Sequence, residues 1–421
     1  MKGIIAVAFS LFLLPGVMRA QNAPPPAQAP DTTQERLKAL EERIRALEEE
    51  LRAVKAAQAA APSAAETPAA AAAQSPAPAP TPAPAAPSYV QLGGAGGSAA
   101  KALNPDVSVI GNFWGAVGQN RVRPVPGLEF HEAEVAFQAI VDPYARADFF
   151  VSFGESGVEL EEGYLTLTSL PGGLTARVGK MRAGFGRVNA MHNDALPWID
   201  RPLVTENMVN GEEGINDAGV SLSRILPGPK GILLEATGQA YRGDSGALFA
   251  ASRRDDVSVV GRLRGYGDIT ENTNLEMGFS YARGHNNLGS GFLTNLYGVD
   301  ATLRWRPLRR AIYHSFLWRS EFVWSRRDQL PMQQRAFGMY SAAEYRLNRR
   351  WTLGGRFDRS ERATNARQMD TGFSALLTYW PSEFSQIRSQ YRFTRYDGKQ
   401  DANELRFQFL FVLGAHGAHA F

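Results

Sequence analysis

The sequence predicts an all-β chain: a 16-stranded antiparallel transmembrane β-barrel with an N-terminal coiled-coil helix. Three observations carry that fold class. From about residue 104 onward, large apolar side chains alternate with polar ones. Turn compositions cut that region into strand-length pieces, and a heptad stripe stands alone near the N-terminus.

The alternation is cleanest at the end of the chain. Leu405, Phe407, Phe409, Phe411 and Leu413 share one face of an extended segment, while Glu404, Arg406 and Gln408 share the other. Successive strand residues point to opposite sides, so this pattern sets rings toward lipid and charge toward a wet lumen. The same phase recurs upstream. Met277 and Phe279 oppose Glu276, Tyr297 and Leu303 oppose Asp300 and Arg304, and Ile387 and Tyr391 oppose Arg388 and Arg392. Trp305, Trp324, Trp351, Tyr345 and Tyr379 fall near strand ends, where aromatic girdles meet headgroups. A soluble sandwich of this length would leave wide unpaired edges and rows of Arg and Glu without a purpose.

Short turn compositions occur around 142–143, 171–173, 227–229, 268–272, 307–310, 347–349 and 381–383. Proline and glycine suit these places, where a central-strand amide is not needed. Longer polar stretches lie between them, including 242–255, 285–291, 326–334 and 360–368. Seven short turns and eight longer loops would give sixteen strands, with both barrel ends on the periplasmic side.

Sixteen strands are wide enough for an aqueous channel. The phase assigns Arg146, Arg262, Arg264, Arg304, Arg319, Glu321, Arg356, Asp358, Arg388, Arg392 and Arg406 to its lining. Arg388, Arg392 and Arg406 cluster on the late strands, which points to an anion preference. The connection over 184–217 is the longest in the barrel and carries His192, Asp194, Trp198, Asp200, Arg201 and Glu212. Folded inward, it would narrow the pore; folded outward, it would cover the centre of an oligomer.

Residues 1–20 read as a secretory signal: Lys2, an apolar core from Ile4 to Leu14, then Pro15-Gly16 and a cleavage site after Ala20. A flexible 21–33 stretch follows. Over 34–56, Leu37, Ile44 and Leu51 take heptad a positions and Leu40, Leu47 and Val54 take d positions. Basic-apolar-x-x-apolar-Glu segments at 36–41 and 43–48 resemble the trimer-favouring coiled-coil pattern. Residues 57–103 are an Ala/Pro-rich linker too poor in large apolar groups to fold.

Composition narrows the function classes. Cysteine is absent, which excludes disulfides and a thiol nucleophile. A net charge of +3 over 421 residues gives no case for nucleic-acid binding. No cofactor or metal is expected, since His416 and His419 at the tail make a weak ligand set. His131, Glu132 and Ser152 carry no diagnostic catalytic motif, so an enzyme is not expected. A plugged 22-strand receptor does not fit the length. The competing class is a structural tether joining the barrel to peptidoglycan through the coiled coil.

The stretch Leu160-Glu161-Glu162-Gly163-Tyr164-Leu165, followed by Val178-Gly179-Lys180-Met181-Arg182-Ala183-Gly184-Phe185-Gly186, resembles the phosphate-selective porin O/P family and related outer-membrane porins. The resemblance implies a trimeric 16-stranded porin for anions or small hydrophilic solutes, with an N-terminal coiled coil in some members. It places Lys180 and Arg182 at the family's basic strand positions and adds Lys180 to the lining. Ala183 stands where the family has proline, and the long loop lacks the family's lysines. Phe421 resembles the terminal aromatic that the barrel assembly machinery reads. The expected location is the outer membrane of a Gram-negative-type bacterium, with lipid around the wall and the N-terminus in the periplasm.

Overall fold

The computed structural model describes Arg45, Glu49 and residues 105–414 except 156 and 399. The chain divides into two compact units, Met1–Ser88 and Tyr89–Phe421. In the first, Arg45 and Glu49 are helical and exposed. The signal segment, the apolar heptad positions, the linker, His416, His419 and Phe421 lie outside the described residues.

In the second unit the chain runs through β1 (Asp106–Gln119), β2 (Leu128–Asp142), β3 (Ala145–Gly154), β4 (Gly157–Leu170), β5 (Leu174–Arg182), β6 (Asn216–Leu226) and β7 (Ile232–Tyr241). A two-stranded ribbon, β8 (Asp244–Ser245) and β9 (Phe249–Ala250), interrupts the wall. The wall resumes with β10 (Ser258–Thr270), β11 (Thr273–His285), β12 (Leu293–Trp305), β13 (Ser315–Arg327) and β14 (Gln334–Arg346). It ends with β15 (Trp351–Arg362), β16 (Asn365–Ser382), β17 (Ser385–Tyr396) and β18 (Gln400–Gly414). The sixteen long strands form one closed antiparallel barrel in which β7 pairs with β10 and β18 returns to β1. Closure satisfies the backbone without an open edge, as a spanning sheet requires.

The faces follow the alternation. Phe407 and Phe409 are each 41 % exposed on the outer wall, whereas Arg406 and Gln408 are 5 % and 2 % exposed within. The closing seam keeps the same phase: Phe113 lies opposite Phe409, and Gln408 Nε2 donates to Asn112 Oδ1 at 3.0 Å. Trp351 and Tyr379 pair across β15 and β16, their ring centroids 4.6 Å apart.

All seven short turns fall between strands, although 306–314 is longer than its composition predicts. The eight longer loops are uneven. The 360–368 stretch is almost entirely strand, leaving only residues 363–364 between β15 and β16. Polar composition misled there because Arg362 ion-pairs with Asp370 across the hairpin at 3.1 Å. β4 likewise begins at Gly157 soon after β3 ends at Gly154, and β18 begins at Gln400 soon after β17 ends at Tyr396.

The interior differs most from the expected wet cylinder. Residues 183–215 fold into the lumen and pack there. Phe185, Val188, Leu196, Trp198, Val204, Met208 and Ile215 join Tyr241, Val260, Leu296, Val323, Tyr340 and Leu376 of the wall in one apolar cluster. A one-and-a-half-turn helix, α1 (Leu203–Met208), buries Leu203, Val204 and Met208. Each such side chain contributes about 1.5–3 kcal/mol on burial, which holds the loop inside rather than over the mouth.

Candidate functional site

The loop enters the lumen over β11 and β13. Glu321 Oε2 on β13 accepts from the backbone N–H groups of Arg187 at 3.1 Å and Val188 at 3.3 Å. Gly186 N donates to Ser280 Oγ at 3.0 Å, and Arg187 Nη1 reaches Glu276 Oε1 at 2.9 Å. Gly186 has φ +60, and a Cβ there would collide with the Glu321 carboxylate, so glycine is required twice over. Arg262, ion-paired with Asp300 at 2.9 Å, donates to the Gly186 carbonyl.

The far end of the loop is clamped through Asp200. Arg356 of β15 donates Nη1 to the Asp200 carbonyl at 2.8 Å and Nη2 to its carboxylate at 3.0 Å. Arg392 and Gln390 of β17 also reach that carboxylate. Burial disfavours charge on Asp200, but Arg356 and Arg392 beside it outweigh this and hold its pKa well below the usual carboxylate range. Asp358 accepts from Arg356 Nε at 2.7 Å and from Leu203 N at 3.2 Å. Trp198 lies beneath the Arg356 guanidinium, 4.9 Å from its ring centroid, and edge-on to Tyr340. Arg201 folds back on the loop, donating to the carbonyls of Val188 at 3.1 Å and Met191 at 2.8 Å.

On the opposite wall, His192 sits between β2 and β4. Its Nδ1 is 2.8 Å from Glu134 Oε2 and 3.2 Å from Glu161 Oε2, and its Nε2 is 2.9 Å from Glu162 Oε2. Burial opposes charge on the imidazole, yet Glu134 and the two neighbouring carboxylates raise its pKa well above the ordinary value. Asp194 is 3 % exposed beside this group, and the Glu212 carbonyl accepts from Arg182 Nη1 at 2.9 Å.

Four recesses of 240 Å³ or more open along the loop. One of 400 Å³ runs beneath it on the side of the short turns, where Arg187, Arg304, Arg306, Arg319, Arg346 and Arg388 gather around Glu344. A second, of 300 Å³, shares Arg187, Met191 and Ala195 with the first and adds Arg262, Arg264 and Glu276. The third, of 410 Å³, shares Ala190 and His192 with the second and adds Arg146, Arg177 and Arg182. Arg182 also lines a 240 Å³ recess with Glu132, Glu159 and Glu213. Within the basic recess, Arg319 pairs with Glu344 at 2.7 Å and Arg304 approaches Glu276 at 3.7 Å. Arg388 is 4 % exposed and donates to the amide oxygens of Gln408 at 2.7 Å and Gln386 at 2.8 Å.

The positions expected along the lumen therefore separate into three groups. Arg146, Arg262, Arg264, Arg304, Arg319 and Arg388 border recesses. Glu321, Arg356, Asp358 and Arg392 anchor the loop, and Arg406 pairs with Glu404 at 3.1 Å on the buried side of β18. Lys180 is a correction: it pairs in register with Gly163, opposite Phe149 on the outer face. Its Nζ reaches the Leu160 carbonyl at 2.6 Å, because Lys180 keeps the outward face of Val178 two residues earlier, which is 49 % exposed. Arg187 and the anchoring role of Glu321 went unforeseen. Their signal was the unusual apolar content of 183–215, which a solvent-facing flap would not carry.

No family model matches the chain. An uncharacterized protein of Aquifex aeolicus (strain VF5) is 28% identical over 337 residues, covering 70% of this chain and 70% of that one. Among solved structures, the anion-selective porin from Comamonas acidovorans aligns with TM-score 0.52 at 9% identity, over 73% of this chain and 98% of its own. The trimer form of in-vitro folded OmpT, an outer membrane protein of Vibrio cholerae, aligns at 0.50 with 10% identity, over 74% and 100% of the two chains. At these identities the likeness is one of architecture, and the barrel has the fold of the outer-membrane porins.

Proposed function

We propose that the protein is an outer-membrane channel for passive diffusion of small hydrophilic solutes, with a preference for anions. The observation that carries this reading is the loop-narrowed lumen of a closed barrel whose outer wall is apolar. Lipid faces the rings, water occupies the recesses, and a solute moves down its gradient without any bond being made. Six arginines around Glu344 make the short-turn vestibule strongly positive, and low-dielectric walls focus such a field on entering anions. The 160–186 motif supports kinship with the phosphate-selective porin O/P family. The heptad stripe Leu37, Leu40, Ile44, Leu47, Leu51 and Val54 supports a homotrimer with its N-terminus in the periplasm. The solved porin-fold neighbour in trimer form is consistent with this.

The test is the zero-current potential of the purified protein in planar bilayers under a potassium chloride gradient. Anion preference predicts a potential of the sign set by chloride, weakening as salt rises and screening shortens. Cation selectivity would overturn the preference. A sealed barrel that retains peptidoglycan would favour the tether.

A further inference from the structure

Solute passage has no use for a group of arginines on the outside of the wall, at the rim near the longer loops. Arg283 of β11, Arg326 of β13 and Arg335 of β14 are exposed. They stand in one cross-strand row, Arg283–Asn295–Arg326–Arg335, in which each residue is the register partner of the next. Two residues nearer the short turns, a second row on the same face reads Tyr281–Tyr297–Trp324–Phe337. Its ring centroids lie 5.3 Å apart for Tyr281 with Tyr297 and for Trp324 with Phe337. Tyr297 and Trp324 are exposed on the outer wall, so the arginines two residues away share its lipid-facing side. We propose, on the outer-membrane reading above, that Arg283, Arg326 and Arg335 form a docking surface for the phosphorylated headgroup of a lipid in the leaflet beside the longer loops.

These side chains are set for an anion. Arg326 and Arg335 lie directly opposite one another in the ladder. The Cβ atoms of such a pair are about 4.5–5.5 Å apart, and like charges there repel, which an anion between them offsets. Other outward cations have acidic neighbours: Arg395 pairs with Asp401 at 2.9 Å and Lys180 with Glu159 at 3.4 Å. Among the described residues, no carboxylate forms an ion pair with Arg283, Arg326 or Arg335. Glu361 on β15 is turned to the backbone instead, accepting from Phe337 N at 2.7 Å. Arg326 Nε donates to Gln333 Oε1 at 2.7 Å, which fixes the guanidinium plane and leaves its Nη groups to a ligand. A planar fork of this kind matches phosphate oxygens in bidentate fashion.

The order of residues along the strands identifies the occupant. Below the rings comes a third row, Phe279–Val299–Phe322–Met339, on the same face. Apolar side chains, rings and cations thus follow one another as acyl chain, interface and phosphate do in a leaflet. A free anion meets only the last row, whereas a lipid meets all three. The apolar stems of the arginines lie along the wall while their heads reach the phosphate level. Arg283 is two strands from Arg326, about 10 Å at the usual strand spacing. One phosphate clamped by Arg326 and Arg335 and another met by Arg283 suit a headgroup that carries two.

The test is native mass spectrometry of the full-length protein in detergent with lipid A, monophosphoryl lipid A and phosphatidylcholine as probes. Lipid A, with two phosphates, should be retained most strongly, the monophosphoryl form less and phosphatidylcholine least. Arg283→Gln, Arg326→Gln and Arg335→Gln combined should weaken lipid A retention by about tenfold or more, as loss of charge-assisted contacts implies. Arg309→Gln, Arg310→Gln and Arg349→Gln combined remove the same charge from exposed short turns and should leave retention unchanged. Heat-modifiable gel migration checks that each variant forms the barrel, and Arg335→Gln alone should weaken retention by a smaller factor if the triple variant misfolds. The site is refuted if the rim variants retain lipid A as the unaltered protein does, or if both triple variants lose it equally. Inorganic phosphate competing as well as lipid A for these arginines would overturn the lipid as occupant. Retention is read without conductance, so loss of this site and failure of the channel reading are separate results.

Discussion

Asp200→Ala should release the far half of the loop while leaving the barrel intact. The carboxylate lies between Arg356, 1 % exposed, and Arg392, 4 % exposed. Removing one member of a buried pair costs about 3–5 kcal/mol, because the remaining charge is stranded. Asp358 still holds Arg356 at 2.7 Å, so the lower end of that range applies. Wall register does not depend on Asp200, since β15, β16 and β17 pair through their own backbones. The loss therefore falls on local opening of the loop. At about 1.4 kcal/mol per tenfold, roughly 3 kcal/mol is a little over a hundredfold in that equilibrium. Hydrogen exchange reads it directly at Ile199 N, bonded to Gln390 Oε1 at 2.9 Å, and Leu203 N, bonded to Asp358. Both amides should exchange about a hundredfold faster, while the amides of β15 and β17 keep their rates. Unchanged exchange at Ile199 and Leu203, or equal acceleration in the strands, would refute the clamp.

The same group sets an acid dependence. Asp200 has its pKa lowered in the fold, so its contribution is full above the ordinary carboxylate range and is lost as pH falls through the folded value. Loop protection should thus decline only under strong acid, and Asp200→Asn should remove that part of the dependence. Gly186→Ala forces a side chain onto a positive φ and into Glu321; a loss of about 1–3 kcal/mol is expected in denaturant unfolding. Phe409→Arg puts a cation on the lipid face and should cost about 2–4 kcal/mol, seen as a lower folded yield in liposomes. Combined Arg304→Gln, Arg306→Gln and Arg346→Gln should move the zero-current potential toward cations without changing gel migration.

Much of the wall was legible because its signal is local. A two-residue period needs no tertiary knowledge, and Phe407 outward with Arg406 inward follows from it. The strand count was equally accessible, since turns such as 171–173 and 227–229 carry glycine and proline. Loop length was less so: Arg362 and Asp370 read as loop polarity, yet they are a cross-strand ion pair. Lys180 failed for another reason: the resemblance set it in the lining, whereas alternation with Val178 turns it outward. The site was half visible. His192, Asp200 and Trp198 could be named from loop chemistry, whereas their partners Glu134, Arg356 and Tyr340 come from strands far away in sequence. Which lumen charges remain wet and which clamp the loop is a matter of three-dimensional packing, and alternation alone does not distinguish Arg304 from Arg392.

Single-channel recording across planar bilayers tests the central claim most directly, by comparing the intact protein with a variant whose residues 189–209 are replaced by a short Gly/Ser bridge. Stepwise conductance in the intact protein, with larger steps once the bridge replaces the loop, is the predicted outcome. Silent membranes for a correctly folded barrel, or identical steps in both proteins, would contradict a lumen narrowed by this loop.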